Sequence, residues 1–276
     1  MTNEQKIWYE VKVGFLPFPA SFLTLLGPSA LILKVSGLIL FILIHMIAEN
    51  LGRIRQRIAQ ACVRSGRDTS GVTLVAVAKT FSADLVAEAL RAGALDIGEN
   101  YVQELAAKRE ALAAQPVRWH FIGHLQRNKA KVVVPWVEMI HAVDSMPLAR
   151  EIETRARASG RTVDILIEVN TTGEPSKFGV PPDGLLPAVS GLAGLTGIRI
   201  AGLMTIGPFL PAPEGSRPMF QQLRSLRDQA AALGQANAPM HHLSMGMTGD
   251  FEVAIEEGAT LVRIGTAIFG SRRKPA

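Results

Sequence analysis

The chain has one cysteine, Cys62, in 276 residues, so no intramolecular disulfide can form and a reducing compartment is the natural setting. Cys62 itself reads as a helix residue packed in a core. Aromatic residues make up only 6% of the chain, and the arginines behind its net charge of +5 are scattered through helical segments. A stacking platform for bases needs aromatics interleaved with clustered cations, so nucleic acid is not an expected partner. Lys129 and Lys131 read as a solvated helix face. Metal-ligand spacing is lacking as well. His120 and His124 fall on a strand and the turn after it, not on one helix face, while His241 and His242 are neighbours on a strand and point to opposite sides.

What the chain does have, first, is one long hydrophobic run. From Phe22 to Met46 it is apolar apart from Lys34, His45 and a few small hydroxyl residues, long enough to cross a hydrocarbon core. Arg53, Arg55 and Arg57 follow, so an anchor here would leave the remainder in the cytoplasm. A cleaved secretory signal fits poorly, because the run starts late and lacks a small-x-small exit. The favoured reading is that translation starts internally, at Met46. That residue opens a self-sufficient amphipathic helix with Ile47, Leu51, Ile54 and Ile58 on one face. The expected division is an apolar leader, 1–45, and a folded domain, 46–276. The membrane is a partner only if the leader is genuine, and the expected location is the cytoplasm.

Beyond Thr69, short apolar strands alternate with helical stretches, which argues for parallel βαβ units. Strands are expected near Val72–Thr80, Leu95–Gly98, Arg118–Ile122, Met139–Val143, Asp164–Val169, Ile198–Met204, His242–Ser244 and Leu261–Ile264. The tally fits an α/β chain forming a single (β/α)8 TIM-type barrel. The first strand ends on Lys79. At the carboxyl edge of a parallel sheet, a desolvated lysine gives up its proton more readily and can attack a carbonyl, although a strand-end lysine reaching into water is the plainer alternative.

Polar residues follow the other strands and would share one rim: Glu99-Asn100, Gly123-His124, Met204-Thr205, Ser244-Met245-Gly246 and Gly265-Thr266. Glycine-turn amides beside a Ser or Thr hydroxyl make a phosphate cradle, and barrels often place one after strands seven and eight. In a closed barrel those strands neighbour the first. An amine and a phosphate cradle side by side suit a compound carrying an aldehyde and a phosphate, as pyridoxal phosphate does.

The runs Ala76-Val77-Ala78-Lys79-Thr80, Gly98-Glu99-Asn100-Tyr101, Trp119-His120-Phe121-Ile122-Gly123-His124-Leu125-Gln126-Arg127-Asn128-Lys129, His242-Leu243-Ser244-Met245-Gly246-Met247 and Val262-Arg263-Ile264-Gly265-Thr266 occur in the order found in one family. From about Met46 to Arg273 the chain resembles the pyridoxal phosphate homeostasis proteins, which are similar to the barrel domain of alanine racemase. The leader has no counterpart there. The resemblance implies Lys79 as the Schiff-base lysine, Ser244, Gly265 and Thr266 at the phosphate, Arg263 facing the pyridine nitrogen, and Asn100 and Met204 lining the ring. It implies no catalytic residue and no metal. The implied role is a monomeric protein that holds pyridoxal 5'-phosphate, delivers it to apoenzymes that require it, keeps free aldehyde low, and so maintains vitamin B6 and amino-acid and keto-acid balance without a turnover reaction.

The alternative is a pyridoxal-phosphate-dependent amino-acid racemase of fold type III. Racemases of that type take a second acid/base tyrosine from a carboxyl-terminal β domain, whereas Tyr9 and Tyr101 are poor substitutes, which favours the carrier. Lys177 matches a loop lysine of the family and is a candidate transient acceptor of the aldehyde, or simply an exposed loop lysine. Phe178 beside it resembles a lid residue.

Overall fold

The computed structural model describes residues 28–174, 177–208 and 210–270, with side chains from residue 46 onward. The chain divides into two units, Met1–Leu43 and Ile44–Ala276. Among the described residues no helix is long and apolar enough to cross a membrane. The leader on which the membrane question turns lies outside the described side chains.

Eight strands, all parallel, close into a barrel in sequence order: β1 (Thr73–Val77), β2 (Asp96–Glu99), β3 (Arg118–Phe121), β4 (Met139–Val143), β5 (Val163–Glu168), β6 (Ile198–Met204), β7 (His242–Ser244) and β8 (Leu261–Ile264). Closure is direct, because β8 pairs with β1 through Leu74 opposite Val262 and Val75 opposite Arg263. These apolar runs suit strands covered on both faces, where alternation gives way to continuous hydrophobicity. The (β/α)8 expectation is met, with strand ends displaced by no more than three residues from their sequence-predicted positions, the largest shift being at the carboxyl end of β1.

Two apolar layers result. Inside the barrel, Val75, Met139, Ala142, Leu166, Ala201, Met204 and Leu261 pack together. Outside, the larger core fills the space between strands and helices, including α1 (Pro28–Arg64), α2 (Ala83–Arg91), α3 (Val102–Ala111), α4 (Ala130–Val133), α5 (Met146–Ala158), α6 (Leu185–Gly191), α7 (Arg217–Ala231), α8 (Phe251–Glu256) and α9 (Thr266–Phe269). The expected apolar face of α1 is buried, with Ile47, Leu51, Ile54 and Ile58 at most 4% exposed. Each such aliphatic contributes roughly 1.5–3 kcal/mol of transfer free energy. Polar ties fix the helix in place: Asn50 Nδ2 donates to Ile268 O at 2.8 Å, and Arg57 forms a two-point pair with Glu252 at 3.0 and 2.8 Å. Ser82 occupies the N-cap position of α2 with extended backbone, yet its hydroxyl makes no capping bond.

The barrel interior is not wholly apolar. Side chains two apart on a strand share a face, so Arg263 follows Leu261 inward and Ser244 follows His242. His120 and His141 also enter the interior, and both are buried. Polar interior residues in a filled barrel need partners, and those partners lead to the site.

Candidate functional site

The carboxyl ends of the strands open on a cavity of about 310 Å³, lined among others by Lys79, Asn100, Arg263, Gly265 and Thr266. That volume is within the usual range for a small-molecule site. Most of the residues singled out from the sequence therefore converge on one place.

Lys79 sits two residues past β1, and the backbone on both sides of it is held. The carbonyl of Ala78 accepts from Lys108 Nζ at 2.8 Å, while the amide of Thr80 donates to Glu104 Oε2 at 2.7 Å. Glu104 and Lys108 are four apart on α3 and so lie on the same helix face, where they pair at 3.0 Å. Lys108 is buried and also pairs with Glu99 at 2.6 Å. Thr80 has φ of 69°, a left-handed conformation uncommon for a β-branched residue, and the bond to Glu104 helps to hold it there.

Asn100 brings an amide oxygen, Oδ1, that is buried without a hydrogen-bond partner among the described residues. Its backbone lies so close to Gly123 that a Cβ at 123 would come within 2.3 Å of the Asn100 carbonyl oxygen, so glycine is required there. The turn after β3 can then press against the end of β2.

Arg263 is fully enclosed. Nη1 donates to Ser244 Oγ at 2.5 Å and Nη2 to the Thr205 carbonyl at 2.8 Å. Among the described residues no carboxylate pairs with it directly. Burial lowers its pKa to about 10, with the charges of Glu168 and Asp250 pulling the other way, so it remains a cation at neutral pH. A buried cation with neutral partners and further N–H groups has donors to offer the cavity.

The loops after β7 and β8 form the remaining wall. Thr266 Oγ1 and Thr248 Oγ1 approach to 3.2 Å beside Gly265. The β7 loop is ordered by Asp250, which accepts from the Met247 amide at 2.7 Å and the Ser216 hydroxyl at 3.0 Å, occupying both carboxylate oxygens within the protein. Glu168, at the end of β5, is buried without an ion pair among the described residues. Burial raises its pKa to about 7, and the nearby charge of Asp144 adds to the rise.

Met204 and Ser244 are placed differently from the expectation. Neither lines the cavity. Met204 ends β6 pointing inward and packs in the interior cluster with Leu166 and Leu261. Ser244 ends β7 fully buried, with its hydroxyl on Arg263 and, at 2.9 Å, on His141 Nδ1. Alternation along the strand turns both into the barrel behind the wall. Lys177 also lies away from the cavity lining and pairs with Glu174 at 2.7 Å. Phe178 stacks on His124, ring centroids 4.0 Å apart.

Several contributors escaped the sequence reading. Thr248 lies just past the Ser244-Met245-Gly246-Met247 run, where a hydroxyl next to a glycine turn was a usable signal. Glu104 and Lys108 have the four-residue spacing common to exposed helical ion pairs, which carries no signal of a site. His141, midway along an apolar strand, was the more informative oddity.

Comparison with known proteins bears on this geometry. The family described as "Alanine racemase, N-terminal domain" matches residues 47–273. The pyridoxal phosphate homeostasis protein of Aquifex aeolicus (strain VF5) is 45% identical over 225 residues, covering 82% of this chain and 98% of its own. The chain belongs to the pyridoxal phosphate homeostasis protein family. Among solved structures, an unknown protein from Bifidobacterium adolescentis superimposes with a TM-score of 0.77 at 40% identity, covering 82% of this chain and 95% of that one. PipY of Synechococcus elongatus PCC7942, solved with pyridoxal phosphate bound, gives 0.70 at 33% identity over 81% of this chain and all of its own.

For a pyridoxal phosphate homeostasis protein, the residues present suit such a cofactor. Asn100, whose buried Oδ1 has no partner among the described residues, the enclosed Arg263 with neutral partners, and the hydroxyls beside Gly265 border a cavity that offers an aromatic ring, an acceptor nitrogen and a phosphate somewhere to be held.

Proposed function

We propose that this chain binds pyridoxal 5'-phosphate in the cavity at the carboxyl ends of the strands, holding it for delivery to apoenzymes and keeping free aldehyde low. The observation that carries this reading is the convergence of Lys79, Arg263 and the Gly265-Thr266 turn on one cavity of suitable size. When bound, the cofactor supplies an aldehyde that condenses reversibly with an amine. In this reading Lys79 provides that amine from a fixed strand end, Arg263 donates to the ring nitrogen, and Gly265, Thr266 and Thr248 take the phosphate. Asn100 borders the ring. Met204 and Ser244 support the site from behind.

The role of Arg263 disfavours chemistry of the transaminase or decarboxylase kind. Racemases of similar fold work with such an arginine, so the preference for a carrier over a racemase rests on the lack of a good second acid/base tyrosine. A guanidinium that stays charged at neutral pH can only donate, so the ring nitrogen facing it acts as acceptor and remains unprotonated. That makes the ring a weaker electron sink. The site then retains the cofactor without strongly promoting carbanion chemistry. The same reading takes residues 46–276 as the binding domain, the cytoplasm as its location and a monomer as its working form.

Absorbance of the purified protein after incubation with pyridoxal phosphate, then borohydride reduction and peptide mapping, tests the binding mode. A visible band and a reduced adduct on Lys79 are expected. An adduct on Lys177 alone defeats the assignment. Incubating the loaded protein with single L-amino acids in deuterated water tests the carrier role, which α-deuterated or inverted product at catalytic rates would overturn.

A further inference from the structure

A line of buried hydrogen bonds crosses the barrel from Arg263 toward the amino-terminal ends of the strands. Arg263 Nη1 lies 2.5 Å from Ser244 Oγ, which is 2.9 Å from His141 Nδ1. His141 Nε2 is 3.0 Å from His120 Nδ1, and His120 Nε2 is 3.0 Å from Asp96 Oδ1. Asp96, at the start of β2, then accepts a two-point pair from Arg118 at 2.8 and 2.6 Å. His120, His141, Ser244 and Arg263 are each no more than 5% exposed.

The chemistry of the two ends fixes the direction of the line. A guanidinium only donates, so the Ser244 oxygen accepts from Arg263 and its own proton goes onward to His141 Nδ1. His141 therefore carries its proton on Nε2 and donates it to His120 Nδ1. His120 in turn carries its proton on Nε2, facing Asp96, whose carboxylate only accepts. Each intermediate group spends one donor and one acceptor, and both rings are neutral. Burial, with the charge of Arg263 acting the same way, pushes the His141 pKa well below that of an ordinary histidine, in keeping with a neutral ring. With the opposite polarity, a proton on His141 Nδ1, the Ser244 hydroxyl proton has no acceptor among its hydrogen-bond partners in the described structure.

We propose that Ser244, His141, His120 and Asp96 form a one-way hydrogen-bonded relay that positions Arg263, fixing the plane of its guanidinium so that its remaining donors meet an acceptor in the cavity. Nη1 is held by the relay and Nη2 by the Thr205 carbonyl, so two points define that plane. These four are positioning residues, reaching the ligand only through Arg263. That the acceptor is a pyridine nitrogen rests on the proposed function, whereas the polarity of the relay does not.

The polarity is read directly from histidine ring-nitrogen NMR of the unaltered, 15N-labelled protein without added cofactor. Both His120 and His141 are expected as neutral Nε2–H tautomers at neutral pH, and a proton on Nδ1 of either ring overturns the relay. The positioning role is read from affinity for pyridoxal phosphate. His141→Leu should weaken it about tenfold, because the Ser244 hydroxyl proton loses its acceptor and no longer orients the oxygen toward Arg263. His141→Gln, whose amide supplies one acceptor and one donor, should recover most of that loss. The double variant Ser244→Ala with His141→Leu should be no weaker than the worse single variant, because both break one line. Additive losses, or a loss on Ser244→Ala with none on His141→Leu, overturn the positioning role and return Ser244 to direct ligand contact. If the unaltered protein takes up no pyridoxal phosphate, the functional reading fails while the nitrogen spectrum still decides the relay.

Discussion

Two buried carboxylates at opposite ends of the barrel, Asp96 and Glu168, are held in opposite ways. At the amino-terminal end, Asp96 is enclosed yet closed off by Arg118 and His120. Burial alone would raise its pKa, but the hydrogen bonds from those two residues outweigh it and hold the group at about 2. At the carboxyl end, Glu168 is enclosed to a similar degree without an ion pair among the described residues, and burial raises it to about 7. The same contrast holds for cations. Arg118 and Arg199 each grip an aspartate by two bonds, whereas among the described residues Arg263 at the mouth bonds a hydroxyl and a carbonyl and no carboxylate. Asp96 is closed off for stability, as are Glu99 and Asp250 at the mouth, whereas Arg263 keeps further N–H groups for a ligand.

If that division is right, substitutions of groups left for a ligand should alter binding and substitutions of closed-off groups should alter stability. The largest effect is expected at Lys79. Lys79→Ala should abolish the visible band of the loaded protein while leaving its thermal midpoint nearly unchanged, since a half-buried side chain beyond the end of β1 contributes little packing. Thr266→Ala should keep the band but weaken retention by about 1–3 kcal/mol, measured by dialysis against free cofactor. A collapse of stability in either variant would break the comparison.

Asp96→Ala comes next. It leaves Arg118 and His120 without their acceptor and should cost about 2–4 kcal/mol in urea unfolding at neutral pH, below the cost of breaking a fully buried pair because Arg118 is partly solvated. Its pKa is lower folded than unfolded, so the stabilisation is present above the ordinary carboxylate range and lost as pH falls through about 2. The unaltered protein should therefore lose stability in acid more steeply than the variant.

Glu168 carries the opposite sign. Its folded pKa lies above its unfolded one, so the fold is relatively favoured while the group is protonated and loses that advantage as pH rises through about 7. Glu168→Gln should stabilise the protein by about 1–3 kcal/mol at pH 8 and have little effect at pH 5, as seen in paired urea melts. Equal effects at both values would show that Glu168 is not held protonated. The smallest effect belongs to Lys177, whose exposed pairing with Glu174 predicts that Lys177→Ala changes stability by less than about 0.5 kcal/mol and retention not measurably.

The strands were legible because each apolar run is bounded by glycine or polar residues, and that boundary is a local property. Lys79, Arg263, Gly265 and Thr266 were legible for a related reason: they occupy fixed places in short runs at strand ends. Ser244 and Met204 stand at the expected strand ends but outside the cavity lining, because a residue's position along a strand does not reveal which face it takes where the strand stops. The relay was illegible. His141 and Ser244 are 103 residues apart and meet only when the barrel closes, so nothing local to either marks the other. The charges on α3 carry the spacing of any exposed helical pair, and only the fold turns Lys108 inward.

That inward lysine has a consequence beyond its own burial. Lys108 and Glu104 hold the peptide groups on either side of residue 79 through bonds made entirely within the protein. Departure of a ligand removes none of them. The peptide geometry around residue 79 is therefore not something that depends on an occupant of the cavity.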